Sequence, residues 1–263
     1  MWALVTGATS GIGLEFARAL AQRGFHLALL ARTSVALRAV AEELETQHRI
    51  RTHVIVQDLA AEDAALHVAK DLHNSGIDVE LLVSNAGIGT VGPVSDASIL
   101  DRQPELNVNI RATVGLTQAF LPDMLERGHG SLLFVGSLAG TRPVPYMASY
   151  SASNAYVEKY GLALWAELRH TDIRVLTVAP GPVATDFATH NGVSWNPAWF
   201  ATLTMSPETV VKRSLRALEK NRGYFVPDRR YRILAKVASL LPGKLLARTI
   251  EPLMRKVASK RDH

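Results

Sequence analysis

The sequence predicts an α/β fold: a doubly wound parallel sheet in three layers, with helices on both faces, forming a single domain. Short apolar runs with strand character alternate with amphipathic runs of helical period as far as residue 179. Such an alternation requires crossover connections, which make neighbouring strands parallel and cover both faces of the sheet with helices. A length of 263 residues and a hydrophobic fraction of 48% are sufficient for one large core.

The first unit of the chain is a strand, a glycine-rich turn and a helix. Residues 1–5 are an apolar run, residues 6–13 contain glycine at positions 7, 11 and 13, and residues 14–23 are amphipathic. Glycines let the backbone turn tightly and approach a ligand, and the start of a helix directs free N–H groups at an anion. The unit predicts a pyrophosphate site, with a turn that binds no ligand as the alternative.

The other strands and helices follow in order along the chain. The helix at 34–48 has Ser34 as its predicted N-cap. The segment 95–127 predicts one or two helices, interrupted near Pro104 and bent or ended near Pro122, because proline cannot donate a backbone hydrogen bond. The remaining predicted strands are 26–31, 52–58, 79–84, 130–137 and 173–179, and the remaining predicted helices are 61–75 and 150–170.

Small or polar residues end each of the predicted strands. In a doubly wound sheet, ligands bind beyond the carboxyl ends of the strands, where the strand order reverses. Each end alone has an ordinary explanation as a turn residue, a helix cap or a loop hydroxyl, but six of them at one edge predict a long flat ligand lying across it. The ends are Thr6 with the glycine turn, Ala31 with Arg32, Asp58 with Leu59, Ser84 with Asn85, Ala86 and Gly87, Ser137, and Pro180 with Gly181.

The composition excludes several classes of site. The chain has no cysteine, so it can form neither a disulfide nor a thiolate metal site, and no cluster of His, Asp and Glu in the sequence suggests another metal site. The first residues lack the basic stretch and long apolar core of a signal peptide. No apolar run reaches the roughly eighteen residues that span a bilayer. A cytoplasmic location is predicted.

Positive charge is concentrated in residues 229–263, which we treat as an extension of a single domain at 1–228. The extension contains ten Lys or Arg and two acidic residues, whereas the whole chain has a net charge of +5. Its basic residues are interleaved with apolar ones, so it can lie on an anionic membrane, or it can cover the body or a neighbouring subunit. No nucleic-acid partner is predicted, because only Tyr231 is available there for base stacking.

Several spaced motifs together resemble the short-chain dehydrogenase/reductase family over residues 2–226. The resemblance implies a Rossmann-type fold, a nicotinamide cofactor, the interconversion of a ketone and a secondary alcohol, and a homodimer or homotetramer. The motifs are the Gly-x-x-x-Gly-x-Gly turn ending at Gly13, Asp58 with Leu59, the Asn-Ala-Gly of residues 85–87, Asn109 in Asn-Val-Asn-Ile, Ser137 and Tyr150 thirteen residues apart, and the Pro-Gly-Pro that starts at Pro180.

The same resemblance implies four catalytic positions, one of which departs from the family pattern. Ser137 and Tyr150 correspond to the catalytic serine and tyrosine, and Asn109 to the asparagine that anchors a water chain. The family pattern Tyr-x-x-x-Lys reads here Tyr150-x-x-x-Asn154. In the family, that lysine holds the nicotinamide ribose and lowers the pKa of the tyrosine by its charge. Asn154 can form hydrogen bonds but carries no charge. The chain can therefore be a weakened enzyme, a nucleotide-binding regulator or scaffold without turnover, or an enzyme with a compensating group elsewhere.

The charge at the end of the second strand indicates which nicotinamide cofactor is used. An acidic residue at this place binds the 2′-hydroxyl of NAD, whereas this chain has Arg32, whose guanidinium suits the 2′-phosphate of NADP(H). The alternative is that Arg32 is only a solvated residue at the helix entry. By resemblance, the cofactor-binding residues are Gly7, Thr9, Ser10, Gly11, Ile12, Gly13, Arg32, Asp58, Leu59, Asn85, Ala86, Gly87, Tyr150, Asn154, Pro180, Gly181, Val183 and Thr185.

Residues 186–205 lie where members of the family carry a substrate lid, and they are rich in aromatic residues. Phe187, Trp195, Trp199 and Phe200 are predicted to line an apolar pocket. The chain is similar to family members that act on steroids or long acyl ketones, which implies an apolar carbonyl or alcohol substrate.

Overall fold

The computed structural model describes residues 1–190 and 203–259, and within these residues the framework is one sheet of seven parallel strands. The strands are β1 (Trp2–Thr6), β2 (His26–Ala31), β3 (Thr52–Val56), β4 (Val79–Ser84), β5 (Gly130–Val135), β6 (Ile173–Val178) and β7 (Gly223–Phe225). Their order in the sheet is β3-β2-β1-β4-β5-β6-β7. The direction of winding therefore reverses between β1 and β4, which confirms the doubly wound fold and puts the ligand crevice at this pair.

Helices connect the strands and cover both faces of the sheet. They are α1 (Gly11–Ala21), α2 (Ser34–His48), α3 (Ala64–Asn74), α4 (Ile99–Leu106), α5 (Thr113–Arg127), α6 (Ala148–Glu167), the single turn α7 (Phe187–His190), α8 (Pro207–Glu219), α9 (Arg229–Ser239) and α10 (Gly243–Ala258). A π-helical segment, Asn107–Ala112, joins α4 to α5, and short 3-10 turns occupy Val94–Asp96 and Leu138–Thr141.

The core consists of two apolar layers, one on each face of the sheet. Because side chains alternate along a strand, Ala3 and Val5 of β1 pack on the layer that contains α1, α2 and α8, while Leu4 packs on the layer of α3, α5 and α6. All three side chains are fully buried. The central strands are thus held on both sides, and their carboxyl ends form a rigid edge for a site.

The prolines at 104 and 122 both lie within helices, and regular α-helix gives way to the π-helical segment two residues after Pro104, which agrees with the predicted interruption there. Pro104 lies inside α4 and Pro122 lies inside α5. Each proline removes one backbone hydrogen bond, to the carbonyl four residues earlier. Those carbonyls belong to Leu100 and Gln118, both exposed residues, so water can replace the missing donor.

One prediction of local structure was wrong, and one strand was not predicted. Ser34 is the first residue of α2 and not its cap: the N-cap is Thr33, whose side chain makes no capping hydrogen bond. The seventh strand was not predicted, because β7 is only three residues long. Its backbone pairs with β6 from Leu176 opposite Gly223 onward, so its position depends on contacts that are distant in sequence.

The helices α9 and α10 are the least buried part of the described chain. Helix α9 begins directly after Asp228, its N-cap, and has no buried residue. In α10 the single buried residue is Val257, at 9% exposure. Apolar side chains such as Leu234 and Leu240 remain exposed, at 56% and 82%. Within residues 1–190 and 203–259, no helix is both long and apolar enough to cross a membrane.

Candidate active site

The turn after β1 has the backbone shape that an anion-binding loop requires. Gly7 and Gly11 have positive φ angles of 68° and 53°, which favour glycine. A Cβ atom at Gly13 would lie 2.1 Å from the carbonyl oxygen of Gly7, so no other residue fits there without movement of the backbone. Because α1 starts at Gly11, its first N–H groups have no partner within the helix and point out of the turn. These features suit a diphosphate group.

A polar cluster around Thr6 joins the carboxyl ends of β1 and β4 at the base of the crevice. Its hydroxyl oxygen accepts hydrogen bonds from the backbone N–H groups of Asn85 and Ala86, both at 2.9 Å. The side-chain amide of Asn85 donates in return to the Thr6 carbonyl oxygen at 2.9 Å. The Asn-Ala-Gly motif thus ties the ends of the two central strands together, at the point where the strand order reverses.

Asn109 connects three separate elements through its side-chain amide. Its oxygen accepts from the N–H of Ile88 at 2.9 Å, and its nitrogen donates to the Ile88 carbonyl at 2.9 Å and to the Ser153 hydroxyl at 3.0 Å. The residue is buried and lies in the π-helical segment, a type of distortion that is common at functional sites. Asn109 therefore fixes the loop after β4 against α6.

Ser137 and Tyr150 come together beyond the end of β5. Ser137 precedes a 3-10 turn, and its hydroxyl accepts from the N–H of Ala139 at 3.2 Å. Burial raises the pKa of Tyr150, and this effect outweighs the hydrogen bonds with the side chains of Ser137 and Asn154, which lower the pKa. A negative charge on Glu105 raises it further. The residue as a whole is only half-buried, so burial acts at its hydroxyl end. The Tyr150 hydroxyl therefore keeps its proton near neutral pH.

Asn154 lies beneath Tyr150 on the same helix and is buried. Its amide nitrogen donates to the Tyr150 carbonyl oxygen at 2.9 Å, so one amide hydrogen is already used within the helix. The nearby Lys159 forms an ion pair with Glu158 at 3.1 Å, and its side chain is 76% exposed. Lys159 is therefore not placed to supply the charge that Asn154 lacks.

The loop after β6 returns to the glycine turn. A Cβ atom at Gly11 would lie 3.0 Å from the Thr185 methyl carbon, and one at Gly181 would lie 2.5 Å from the Tyr231 ring. Val183 forms a parallel bridge with Met205. The predicted residues Thr9, Ser10, Ile12, Gly87 and Pro180 lie at this same carboxyl edge of the sheet.

The residues at the ends of β2 and β3 form the outer part of this edge. Arg32 is exposed, and neither a hydrogen bond nor an ion pair holds its guanidinium within the described residues. The carboxylate of Asp58 accepts from the N–H of Ala60 at 2.9 Å, which closes a turn rather than capping a helix. Leu59 beside it is buried. The arginine is free to meet a ligand, whereas the Asp58 turn is fixed.

Of the predicted substrate residues, one lies in the described part of the chain. The Phe187 ring stands 5.9 Å from the Tyr150 ring, centroid to centroid, and both rings border Gly89. Phe187 is therefore an apolar wall beside the predicted proton donor. Trp195, Trp199 and Phe200 lie outside the described residues.

Sequence reasoning missed Glu105, a buried acid near the site. Its carboxyl accepts a hydrogen bond from the Thr90 hydroxyl, and its charge acts on Tyr150. The sequence offers one weak signal, since Glu105 precedes Asn109 by four residues. Among the described residues, no three His, Asp or Glu side chains are grouped so as to hold a metal ion.

Known proteins of similar sequence include two reductases. A very-long-chain 3-oxoacyl-CoA reductase of Anas platyrhynchos is 36% identical over 81% of this chain and 67% of its own length. Sulfoacetaldehyde reductase 2 of Chromohalobacter salexigens is 38% identical over 70% of this chain and 73% of its own.

Solved structures share the fold over nearly the whole chain. A 7β-hydroxysteroid dehydrogenase superimposes with a TM-score of 0.86 at 21% identity, covering 95% of this chain and 96% of that one. A short-chain dehydrogenase of Sphingobium yanoikuyae, in complex with NADPH, has a TM-score of 0.80 at 25% identity, covering 90% and 93%. The family model for short chain dehydrogenases matches residues 1–193. The chain belongs to the short-chain dehydrogenase family of oxidoreductases.

Proposed function

We propose that this chain is an NADP(H)-dependent reductase, which interconverts a ketone and a secondary alcohol on an apolar substrate. The observation that carries the proposal is the meeting of Ser137 and Tyr150 beyond β5, at the same edge of the sheet as the glycine turn. A hydroxyl pair at that edge can bind a carbonyl oxygen while a nicotinamide lies beside it.

The raised pKa of Tyr150 favours the direction of reduction. A phenol that stays protonated at neutral pH can donate its proton to the oxygen of a ketone that is being reduced. The Ser137 hydroxyl donates a hydrogen bond to the same oxygen and shares in stabilising its developing charge. When bound, NADPH supplies the hydride. Oxidation of an alcohol needs the tyrosinate as base, so the high pKa slows that direction more.

The chain's own residues supply groups for three parts of the cofactor. The glycine turn would hold the diphosphate, the loop from Pro180 to Thr185 would lie over the nicotinamide, and Arg32 would bind the 2′-phosphate. Arg32 fits this role because its guanidinium is exposed and is not engaged within the described residues.

Asn154 supports a second candidate function, that of a nucleotide-binding regulator or scaffold without turnover. A unit charge ~4 Å from a tyrosinate is worth on the order of 4 kcal/mol at an effective dielectric constant of about 20. Loss of most of this would slow the reaction roughly 10²–10³-fold. The amide of Asn154 is buried and is already bonded to the helix, so it replaces the lysine's hydrogen bonds only in part.

A reductase assay separates the two functions. NADPH oxidation is measured with a panel of bulky ketones and 3-oxoacyl thioesters for the chain as it stands, for Asn154→Lys and for Tyr150→Phe. The reductase hypothesis expects slow turnover that Tyr150→Phe abolishes and that Asn154→Lys raises on the order of 10²-fold. NADPH binding without turnover in any form of the protein, including Asn154→Lys, would support the regulator instead.

The apolar substrate class is supported by Phe187, which stands beside Tyr150. A relative named as a very-long-chain 3-oxoacyl-CoA reductase and a neighbour named as a hydroxysteroid dehydrogenase point to long acyl or steroid-like ketones. Both substrate types belong in the assay panel, because a flat polycycle and a flexible chain would use the same apolar wall differently.

We further propose that the basic extension at 229–263 makes peripheral contact with anionic membranes on the cytoplasmic side. The catalytic unit is residues 1–228, and the chain forms a homodimer or homotetramer. Exposed Ile233, Leu234 and Val237 share α9 with four basic residues, which is the composition of an interfacial helix. Vesicles of anionic lipid should sediment the protein at low salt and release it at high salt. Protein that stays in solution with anionic vesicles at low salt would instead assign the apolar face to packing on the body or on a neighbouring subunit.

A further inference from the structure

A buried carboxyl lies next to the proposed active site and is not used by the proposed chemistry. Glu105, near the end of α4, has no exposed surface. The Thr90 hydroxyl donates a hydrogen bond to its Oε2 atom, but its Oε1 atom is buried without a hydrogen-bond partner among the described residues. Burying an acid with one oxygen unsatisfied is unfavourable, so its position calls for an explanation.

The surroundings of Glu105 favour its neutral form. Burial raises the pKa of this carboxyl. The hydrogen bond from the Thr90 hydroxyl, the positive charge of Arg102 and a hydrogen bond from the Thr90 backbone oppose that effect only in part. The charged and titratable groups that act on it from the packed elements are Arg102 on α4 and Tyr150 on α6. The Arg102 guanidinium donates long hydrogen bonds, of 3.5 Å, to the carbonyls of Gly92 and Pro93, so it is shared with the loop.

Glu105 is linked mechanically to the tyrosine through the loop after β4. Its partner Thr90 follows Gly89, at which a Cβ atom would lie 3.3 Å from the Tyr150 ring and 3.2 Å from the Phe187 ring. The other end of this loop, Ile88, is held by Asn109. The backbone behind the Tyr150 ring is thus fixed at both ends, and Glu105 provides one of the two attachments.

We propose that Glu105 is a positioning residue for Tyr150, which fixes the loop behind the tyrosine ring through Thr90 and controls by its own protonation how readily Tyr150 gives up its proton. The proposal rests on the proposed reductase function. Two negative charges cannot easily coexist in a buried space. While Glu105 is protonated, a tyrosinate left after proton donation meets no repulsion, and once Glu105 ionises, Tyr150 holds its proton more firmly. In a chain without the family's lysine, the charge state of Glu105 therefore bears directly on the ionisation of Tyr150.

The test is the isosteric variant Glu105→Gln, which keeps an acceptor for the Thr90 hydroxyl and cannot ionise. The ionisation of Tyr150 is followed by tyrosinate absorbance, as the difference between each protein and its own Tyr150→Phe form. We expect Tyr150 to ionise at a pH lower by about one pH unit in Glu105→Gln. The pH profile of alcohol oxidation should move the same way, because that direction needs the tyrosinate.

A matched control is Glu158→Gln, which removes another acid with little exposure, one that lies on α6 beyond Asn154. This variant should leave the pH at which Tyr150 ionises unchanged.

The variant Thr90→Val tests only the hydrogen bond that attaches the loop to Glu105. It should raise KM more than it moves the pH profile of oxidation. The proposal is overturned if Tyr150 ionises at the same pH in Glu105→Gln and in the parent, or if it ionises in neither protein before unfolding. It is also overturned if Glu158→Gln shifts this pH as much as Glu105→Gln does. A shift in absorbance with no turnover in any variant would uphold the role of Glu105 and reject the reductase.

Discussion

The glycine turn and the C-terminal helices are held in place in different ways. In the turn, backbone atoms approach so closely that a Cβ at Gly13 would lie 2.1 Å from a carbonyl oxygen and 2.4 Å from the Asn85 amide. In α9 and α10, Val257 is the single buried residue. The first region is specified by close contacts within the chain, whereas the second leaves apolar side chains such as Leu234, Leu240 and Leu245 exposed.

This difference explains why the two regions differ in what their sequences reveal. A turn that accepts only glycine at fixed positions can be recognised from a sequence motif. A helix that packs weakly on its own body accepts many sequences, provided that one face stays apolar and the other stays charged. The comparison predicts that substitutions will be most damaging in the turn, intermediate at its exposed rim and mildest at the start of the C-terminal helices.

The largest effect is expected for Gly13→Ala. The new methyl group must displace backbone atoms, which cannot move as a flexible side chain would, so we expect a loss of about 2–4 kcal/mol of unfolding free energy. For a chain of this size that corresponds to a fall in Tm of roughly 5–15 °C. Thermal denaturation without cofactor measures it.

The matched control is Gly87→Ala at the same edge of the sheet, where a Cβ would meet the Asn109 amide oxygen at an ordinary 3.5 Å. Its Tm should change by no more than about 2 °C, the shift that roughly 0.5 kcal/mol gives. Equal Tm values for both variants would show that the turn relaxes easily and would remove the contrast between the two regions.

An intermediate effect is expected for Arg32→Asp at the exposed rim of the turn. The guanidinium is not engaged within the described residues, so its removal should leave stability unchanged. A charge-assisted bond to the 2′-phosphate is worth about 1.5–3 kcal/mol, which predicts a fall in NADPH affinity of roughly 10–100-fold. Titration of NADPH and NADH should therefore show the preference inverted.

The control for that charge change is Arg49→Asp, at the opposite end of α2. Position 49 has a left-handed φ of 54°, which aspartate tolerates, and about 15 residues of helix at 1.5 Å each separate the two ends. NADPH affinity should change less than about threefold, since exposed charges at that distance are screened. Equal losses in the two variants would reduce the role of Arg32 to general attraction.

Elements that depend on local sequence were predicted well, and those that depend on contacts distant in sequence were missed. Strand β2 and helix α2 were predicted to the residue, because a buried apolar run and a clear helical period depend on local sequence. Strand β7 was missed, because three residues become a strand only by pairing with β6. Glu105 was missed for a related reason: its burial depends on how the loop at Thr90 returns to α4. Motifs reveal positions where one residue type fits, and they do not reveal an environment assembled from distant parts.

The smallest effect is expected at Asp228, where the body passes into the C-terminal helices. Its carboxylate caps α9 by accepting from the N–H of Arg230 at 2.8 Å and pairs with the guanidinium of the same residue at 2.7 Å. The hydrogen bond from the Arg230 side chain is the main cause of a pKa below the usual value of 3.8. A group whose pKa is lowered by folding contributes stability above its unfolded pKa, and that contribution disappears as pH falls through the folded value.

Asp228→Asn keeps the cap, since asparagine caps helices as well as aspartate, and removes the charge. The Arg230 side chain is 60% exposed, so solvent screens the pair and its loss should cost less than about 1 kcal/mol at neutral pH. In acid, where both side chains are neutral, the two proteins should be equally stable. Because α9 has few anchors, this loss should appear as faster proteolysis within residues 229–259, with the Tm of the body unchanged. If proteolysis stays the same while the Tm of the body falls, the C-terminal helices unfold together with the sheet, and the contrast with the glycine turn is one of packing density and not of independent stability.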